Sequence, residues 1–278
     1  MKRTPKYLIA RLRQLYEFGT VAEDIWSVPA LVLLGFARGL DGDDRWSRVS
    51  RRMLPLLRIR PKRFHGRDLK LNPADFSHVL VAEEFFIQKL YDLNRVSFRP
   101  TLILDCGAHI GFFATLAGAT FDESPIVAFE PDSRNIKLLR DQSIALEPRL
   151  KIIEAAVSTF DGKRRFASST SLSGHLVEME DSNPLLPEVE VVDLRRFIPE
   201  DKSQKLLLKL DVEGEEQAIV PHIVDSLPDQ CAVFVEVHRG RRSWDELSNL
   251  LHARGFAVSI DRDRDQYIDG FAVRLRRQ

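Results

Sequence analysis

One stretch near the middle of the 278-residue chain has the residue types that bind a nucleotide-like ligand. A short apolar run ends in Asp105, and Gly107 and Gly111 follow it as in a tight turn. After a helix-compatible segment, a second apolar run ends in Glu130. Glycines let a backbone approach a ligand closely, and a carboxylate accepts hydrogen bonds from ribose hydroxyls. This order predicts half of a nucleotide-type site in a parallel sheet, although such a turn can also merely join a strand to a helix.

The spacing of the glycines indicates the ligand. A dinucleotide fingerprint reads G-x-G-x-x-G, but here His109 replaces the middle glycine and the last glycine is absent. The looser methyltransferase pattern, two apolar residues before Asp-x-Gly-x-x-x-Gly, fits well. S-adenosylmethionine has a ribose but no pyrophosphate, and a helix N-terminus can hold its methionine carboxylate. The residues predicted to bind this cofactor are Asp105, Gly107, Ala108, His109, Gly111, Glu130, Pro131, Ala156 and Asp211.

A second group of chemical residues follows two later apolar runs. Asp211 and Glu213 end one run, which in a doubly wound sheet lies opposite the first turn, beside the reactive end of the cofactor. His238 ends the other run, and an unperturbed histidine can take a hydroxyl proton near neutral pH. These three residues are the predicted catalytic groups, with Asp211 or His238 as the base. Glu213 also suits a helix start, and a structural role for His238 stays open. No residues have zinc-ligand spacing, so no metal is predicted.

Alternating strand and helix patterns position these residues. Apolar runs predict core strands at 102–105, 126–130, 152–154, 206–211 and 232–237. The alternation predicts an α/β fold with a doubly wound, mostly parallel sheet, Rossmann-like as in class I methyltransferases. Residues 243–246 predict a capping box that starts a late helix. Residues 256–260 and 270–275 flank a polar loop and predict a terminal antiparallel hairpin.

Domain boundaries follow from changes in pattern. Residues 1–57 are predicted to form a helical N-terminal segment, and 58–278 a Rossmann-like methyltransferase domain. Within that domain, 58–95 is a predicted lead-in of a hairpin and a helix. Residues 163–195 are a predicted β-rich insertion over the binding face.

Composition limits the function classes. The 41 basic and 41 acidic residues balance, which argues against a general polyanion binder. Residues 1–67 hold 15 Lys and Arg against 6 Asp and Glu, so this basic segment is either solvated or contacts a membrane surface or another anion. Cys106 and Cys231 lie in apolar contexts, and two buried free thiols indicate a reducing cytoplasm. The longest apolar stretch is well below the roughly 20 residues that span a bilayer.

Together, these motifs resemble the FkbM family of S-adenosylmethionine-dependent methyltransferases. The resemblance covers roughly residues 60–275, and Lys-x-Asp-Val-Glu-Gly is its most specific piece. The family usually has Asn at the position of His109. The matching segments are 103–112, 128–132, 155–157 with 161–162, 209–214 and 236–238.

The resemblance implies methylation of a hydroxyl on a sugar, glycan or secondary metabolite. It places Asp105, Gly107, Gly111 and Glu130 at the cofactor, with Asp211 and Glu213 near the methyl-transfer site. The expected partner is a small-molecule or glycan acceptor with a free hydroxyl. A nucleic-acid methyltransferase is one alternative, although the chain lacks the Asn/Asp-Pro-Pro-aromatic motif at the fourth strand. A cofactor-binding scaffold without catalysis is another, and a nicotinamide dehydrogenase is a weaker third.

Overall fold

The computed structural model describes residues 60, 68–70, 76–86, 88–168, 174–177, 185–263 and 267–275. The chain divides into two compact units, residues 1–92 with 170–172 and the remainder. The described part of the first unit contains helix α1 (Phe76–Phe86), and the ring centroid of Phe85 on this helix lies 5.2 Å from that of Tyr91, which follows the helix. The predicted helical segment 1–57 and most of the predicted hairpin after it lie outside the described residues.

The second unit contains the elements predicted from the apolar runs. Its described helices are α2 (Phe112–Thr120), α3 (Ser133–Ser143), α4 (Glu216–Ile223) and α5 (Gly240–Ala253). Its described strands are β1 (Leu102–Cys106), β2 (Ile126–Phe129), β3 (Leu150–Ile153), β4 (Ala156–Ser158), β5 (Gly162–Ser168), β6 (Gly174–Val177), β7 (Glu188–Asp193), β8 (Lys205–Leu210), β9 (Gln230–His238), β10 (Ala257–Asp263) and β11 (Tyr267–Arg274).

Seven of these strands form one sheet in the order β10-β11-β9-β8-β1-β2-β3. Five neighbouring strands of this sheet, β3, β2, β1, β8 and β9, are parallel. Strand β11 runs antiparallel to both β9 and β10. This arrangement confirms the predicted α/β fold and the terminal hairpin. The chain moves outward from β1 to β3 and then returns to β8 on the other side of β1. In open α/β sheets, ligands bind at the strand ends beside such a reversal.

Helices cover both faces of the sheet. Successive side chains of a strand point to opposite faces. Phe234 of β9 contacts Phe113 of α2, with ring centroids 6.3 Å apart. Its neighbours Val233 and Val235 belong instead to the buried cluster that contains Trp244 of α5. This packing leaves the carboxyl ends of the parallel strands as the place where polar side chains can gather.

The segment predicted as a β-rich insertion contains β5, β6 and β7. With β4 they form a second sheet in the order β4-β7-β5-β6. Among the described residues, no helix is long and apolar enough to cross a membrane. Both cysteines are free and buried, as predicted.

The predicted capping box at Ser243 is wrong. Strand β9 continues to His238, and only Arg239, in the left-handed conformation with φ of 74°, separates it from α5. The helix therefore starts at Gly240, and Ser243 lies inside it. The carbonyl oxygen of Ser243 accepts a hydrogen bond from Gln217 at 2.9 Å.

Candidate active site

The turn after β1 is held by backbone contacts to both neighbouring strand ends. The amides of Gly107 and Ala108 donate to the carbonyl oxygen of Phe129 at 3.1 and 2.8 Å. Gly107 has φ of 79°, and a Cβ atom there would lie 1.9 Å from the backbone oxygen of Asp211. The missing side chain therefore lets the turns after β1 and β8 touch, in a conformation that favours glycine.

Asp105 shapes the start of α2. It is fully buried, and its Oδ2 accepts a hydrogen bond from the amide of Ala114 at 3.1 Å. Gly111, with φ of 88°, directly precedes this helix. Burial raises the pKa of Asp105 to about 6, although the ammonium of Lys209 acts in the opposite direction. Asp105 thus joins the β1 end to the first turn of α2.

Glu130 follows β2 and is almost completely buried. Its Oε2 accepts the amide of His109 at 2.8 Å, and its Oε1 accepts the amide of Asp132 at 2.9 Å and the side chain of Asn135 at 3.2 Å. Burial raises the pKa of Glu130 to about 7, although these donors lower it. A carboxylate offers about four acceptor positions, and donors from the described part of the chain use three of them, which leaves one position on Oε2 for a further donor.

Lys209 links the ends of β1 and β8. Its Nζ donates to the carbonyl oxygen of Gly107 at 2.7 Å and lies 3.3 Å from Oδ2 of Asp211 and 3.7 Å from Oδ1 of Asp105. Lys209 is 4% exposed. Although burial lowers the pKa of Lys209, the two carboxylates raise it above its usual value, so the side chain is an ammonium.

The loop after β8 is organised by Glu216, the first residue of α4. This side chain is fully buried. Its carboxylate accepts the amide of Val212 at 3.0 Å and the amide of Gly214 at 3.0 Å. Glu213 has φ of 54° and Gly214 has φ of 111°, so neither fits a right-handed helix. The helix predicted after β8 consequently begins only at Glu216.

His238, at the end of β9, lies among carboxylates. Its Nδ1 is 3.0 Å from Oε1 of Glu216, and its Nε2 is 3.1 Å from Oε2 of Glu213 and 3.6 Å from Oε1 of Glu236. Although burial lowers it, the hydrogen bonds to Glu213 and Glu216 raise the pKa of His238 to about 11. Burial also raises the pKa of Glu236, with the charges of Asp211 and Asp269 adding to the rise. Both ring nitrogens of His238 therefore face carboxylates.

The predicted residues lie in two adjoining groups on either side of the strand reversal. The three predicted catalytic residues converge, since side-chain ligand atoms of Asp211, Glu213 and His238 all lie within 4.8 Å of one another. Ala156 lies apart from both groups in the chain, buried at the start of β4 and paired with Val191. The residues at the ends of β1 and β2 are Asp105, Gly107, Ala108, His109, Gly111, Glu130 and Pro131.

Sequence reasoning did not assign roles to Lys209, Glu216 or Glu236. Lys209 is the single charged residue in the apolar run 206–210, which is itself a signal for a paired buried ion. Glu216 follows Gly214 by two residues, a position from which a carboxylate can accept amides of the preceding loop. Glu236 and His238 are two apart on one strand and therefore share a face.

Comparison with known families supports the methyltransferase chemistry that the sequence motifs predict. Residues 105–258, more than half of the chain, match the model of the methyltransferase FkbM domain. The chain belongs to the FkbM methyltransferase family. The matched range begins at Asp105 and includes Glu130, Asp211 and His238, so it contains both groups of the site. Membership in this family identifies the protein as a methyltransferase.

Two curated relatives cover most of the same region. The chain is 27% identical over 217 residues to Methyltransferase 1 of Beauveria bassiana, covering 69% of this chain and 86% of that protein. It is 26% identical over 232 residues to the 31-O-demethyl-FK506 methyltransferase FkbM of Streptomyces tacrolimicus, covering 69% and 89%. Among solved structures, it resembles a methyltransferase FkbM from Methylobacillus flagellatus with 12% identity and a TM-score of 0.46, covering 96% of this chain and 59% of that one.

Proposed function

We propose that this protein transfers the methyl group of S-adenosylmethionine to a hydroxyl oxygen of a small-molecule or glycan acceptor. The observation that carries the proposal is the placement of Glu130 and Asp211 on the two sides of the β1 turn. They follow β2 and β8, the two strands that flank β1 at the reversal of strand order. An FkbM-family chain with this pair has acidic groups at both ends of the expected cofactor site.

The residues fit this cofactor in two respects. The remaining acceptor position on Oε2 of Glu130 suits a ribose hydroxyl. At the other end, Asp211 and Glu213 supply carboxylates, and the ammonium of Lys209 is shared between Asp211 and Asp105. Negative charge at this end suits a molecule that carries an ammonium and a sulfonium. The turn between the two ends has glycine at 107 and 111, and the side chain of residue 108 is a single methyl group.

The chain's own residues have positioning and proton-accepting roles in this reaction. When bound, S-adenosylmethionine supplies a methyl group on a sulfonium, and the sulfur leaves as a neutral thioether. The protein must therefore hold the acceptor oxygen in line with the methyl carbon and sulfur, which can contribute up to roughly 7–11 kcal/mol. Since both ring nitrogens of His238 already face carboxylates, Asp211 and Glu213 are the groups with oxygens available for the hydroxyl proton.

The acceptor class is supported by a relative. The Streptomyces tacrolimicus enzyme is named for an O-demethyl substrate, so its printed name describes methyl transfer to oxygen on a small molecule. We extend this acceptor type to the present chain. A hydroxyl acceptor also suits a site that holds the carboxylates of Asp211 and Glu213, because a carboxylate can accept the hydroxyl proton.

Calorimetric titration of S-adenosylmethionine and S-adenosylhomocysteine into the wild type tests the cofactor. We expect micromolar binding that weakens at least about tenfold in Glu130→Ala, since a buried hydrogen bond to a charged group is worth about 1.5–3 kcal/mol. Glu200→Ala, on an exposed loop, is the matched control and should bind like the wild type. Binding of NAD instead, or cofactor binding indifferent to Glu130, would contradict the proposal.

Transfer to oxygen needs its own measurement. The wild type is incubated with S-adenosylmethionine labelled in the methyl group and a panel of sugars and hydroxylated natural products. We expect label in a product that mass spectrometry identifies as a methyl ether. Label recovered only on nitrogen or in nucleic acid would refute the oxygen acceptor while leaving the cofactor assignment intact.

A further inference from the structure

The ends of β8 and β9 place nitrogen and oxygen ligand atoms around one point. Asp211 and Glu213 lie two residues apart after β8, and His238 ends the neighbouring strand. Ligand atoms of all three residues lie within 4.8 Å of one another. The Nε2 atom of His238 is 3.1 Å from Oε2 of Glu213, and Oε1 of Glu236 is 3.6 Å away. Two carboxylates and one imidazole nitrogen therefore approach one another, and the carboxyl group of Glu236 lies next to that nitrogen.

The orientation of the His238 imidazole is set by Glu216, which is not one of the three converging residues. Nδ1 of His238 is 3.0 Å from Oε1 of Glu216, which is fully buried and also accepts two backbone amides. Glu216 therefore cannot turn away without losing those hydrogen bonds. Metal-binding histidines almost always have their second nitrogen held by a carboxylate or carbonyl in this way. The arrangement directs Nε2 toward the carboxylates of Asp211 and Glu213.

Charged groups of both signs surround this place, since the imidazole of His238 and the ammonium of Lys209 lie beside the carboxyl groups. Asp211, Glu213, Glu216 and Glu236 are carboxyl groups, and the ammonium of Lys209 lies 3.3 Å from Asp211. That ammonium also lies 3.7 Å from Asp105 and is shared between the two strand ends. Carboxyl groups thus outnumber the cationic side chains here, and a metal ion would pair the half-buried carboxylates of Asp211 and Glu213.

We propose that Asp211, Glu213 and His238 bind a divalent first-row cation such as Mn²⁺, Fe²⁺, Co²⁺ or Zn²⁺. One imidazole nitrogen with carboxylate oxygens is a ligand set that suits these ions better than Ca²⁺ or Mg²⁺, which prefer oxygen alone. The sequence predicts no metal because the three ligands come from two strands about 25 residues apart, not from a short spaced motif.

A cation here would act on the acceptor, and this role rests on the proposed function. With a cation bound, Asp211 and Glu213 would serve as its ligands instead of accepting the proton themselves, and an acceptor hydroxyl on the cation would lose its proton to water more readily. The resulting oxygen forms the bond to the methyl carbon as the carbon–sulfur bond breaks and the electron pair stays on sulfur. His238 is then a ligand and not the base.

Cobalt is the probe, because Co²⁺ bound to nitrogen and oxygen ligands absorbs visible light. Wild-type protein stripped with a chelator is titrated with Co²⁺, and binding is followed by absorbance and by metal content after gel filtration. We expect one equivalent bound per chain and loss of that binding in His238→Gln. Glu216→Gln should still bind, with affinity about 10–100-fold weaker, as for other residues that orient a ligand.

His222→Gln is the matched control. His222 also pairs with a carboxylate, at 2.9 Å from Oδ1 of Asp193, but it lies near the end of α4 and not at the ends of β8 and β9. It should bind Co²⁺ like the wild type. Absence of stoichiometric Co²⁺, Mn²⁺ and Zn²⁺ binding in the folded wild type would overturn the proposal, as would full binding by a folded His238→Gln. Cation binding without S-adenosylmethionine binding would refute the proposed function alone.

Discussion

Replacing Glu130 with glutamine should change how the stability of this protein depends on pH. Glu130 is 5% exposed, and burial raises its pKa from 4.5 to about 7. Below pH 4.5 the carboxyl group is protonated in the folded and unfolded states, so its titration has no effect. Between pH 4.5 and 7 the unfolded chain releases this proton while the folded protein keeps it. Rising pH therefore favours unfolding of the wild type, and the glutamine side chain, which cannot titrate, removes this effect.

The magnitude follows from the difference between the two pKa values. A difference of about 2.5 corresponds to about 3 kcal/mol once pH exceeds both values. Linkage predicts that about 2.5 kcal/mol of this change falls between pH 5 and pH 8. Over that range, the free energy of unfolding of the wild type minus that of Glu130→Gln should fall by about that amount. Other titrating groups contribute equally to both proteins and cancel in the difference.

Urea unfolding of both proteins at several pH values between 5 and 8 measures this difference. The slope of the free energy against urea must be the same for both proteins, so that the comparison reports stability. Glu200→Gln, an exposed glutamate, serves as the control and should give a difference that is independent of pH. A constant difference between wild type and Glu130→Gln would show that the three donors to Glu130 balance its burial and leave its pKa unshifted. A difference that rises with pH would reverse the sign of the argument.

Two further changes test how the β1 and β8 ends are joined. Gly107→Ala should destabilise the protein by about 1–3 kcal/mol or more, from its positive φ and the contact with the Asp211 oxygen, and weaken cofactor binding in calorimetry. Gly162→Ala, whose Cβ would meet only the ring of Phe160 at 3.6 Å, should be nearly neutral. Lys209→Met should cost about 3–5 kcal/mol in urea unfolding, since it leaves the buried carboxyl group of Asp105 without its ammonium partner. Adding Asp105→Asn should recover at least about 1 kcal/mol, and strict additivity would contradict the ion pairing.

The strand and helix elements could be predicted because they depend on local pattern. Runs such as 102–105 and 206–211 are apolar because both faces of a parallel strand are buried. The predicted strands therefore overlap the observed β1 and β8. Where the chain enters or leaves a helix, the predicted boundaries agree less well with the structure. The start of α5 was misplaced because a single left-handed residue, Arg239, replaces the expected cap.

By itself, the sequence determined the order of the elements and which acids end the strands, because hydrophobic period and turn chemistry are local properties. The juxtaposition of those acids was decided by the tertiary structure. Lys209 meets Asp105 because β8 returns beside β1, and the register pairs these two residues. Glu216 reaches His238 because α4 begins late, after two residues of positive φ. Such contacts join residues 22 to 104 positions apart, and sheet order and register, not local sequence, bring them together.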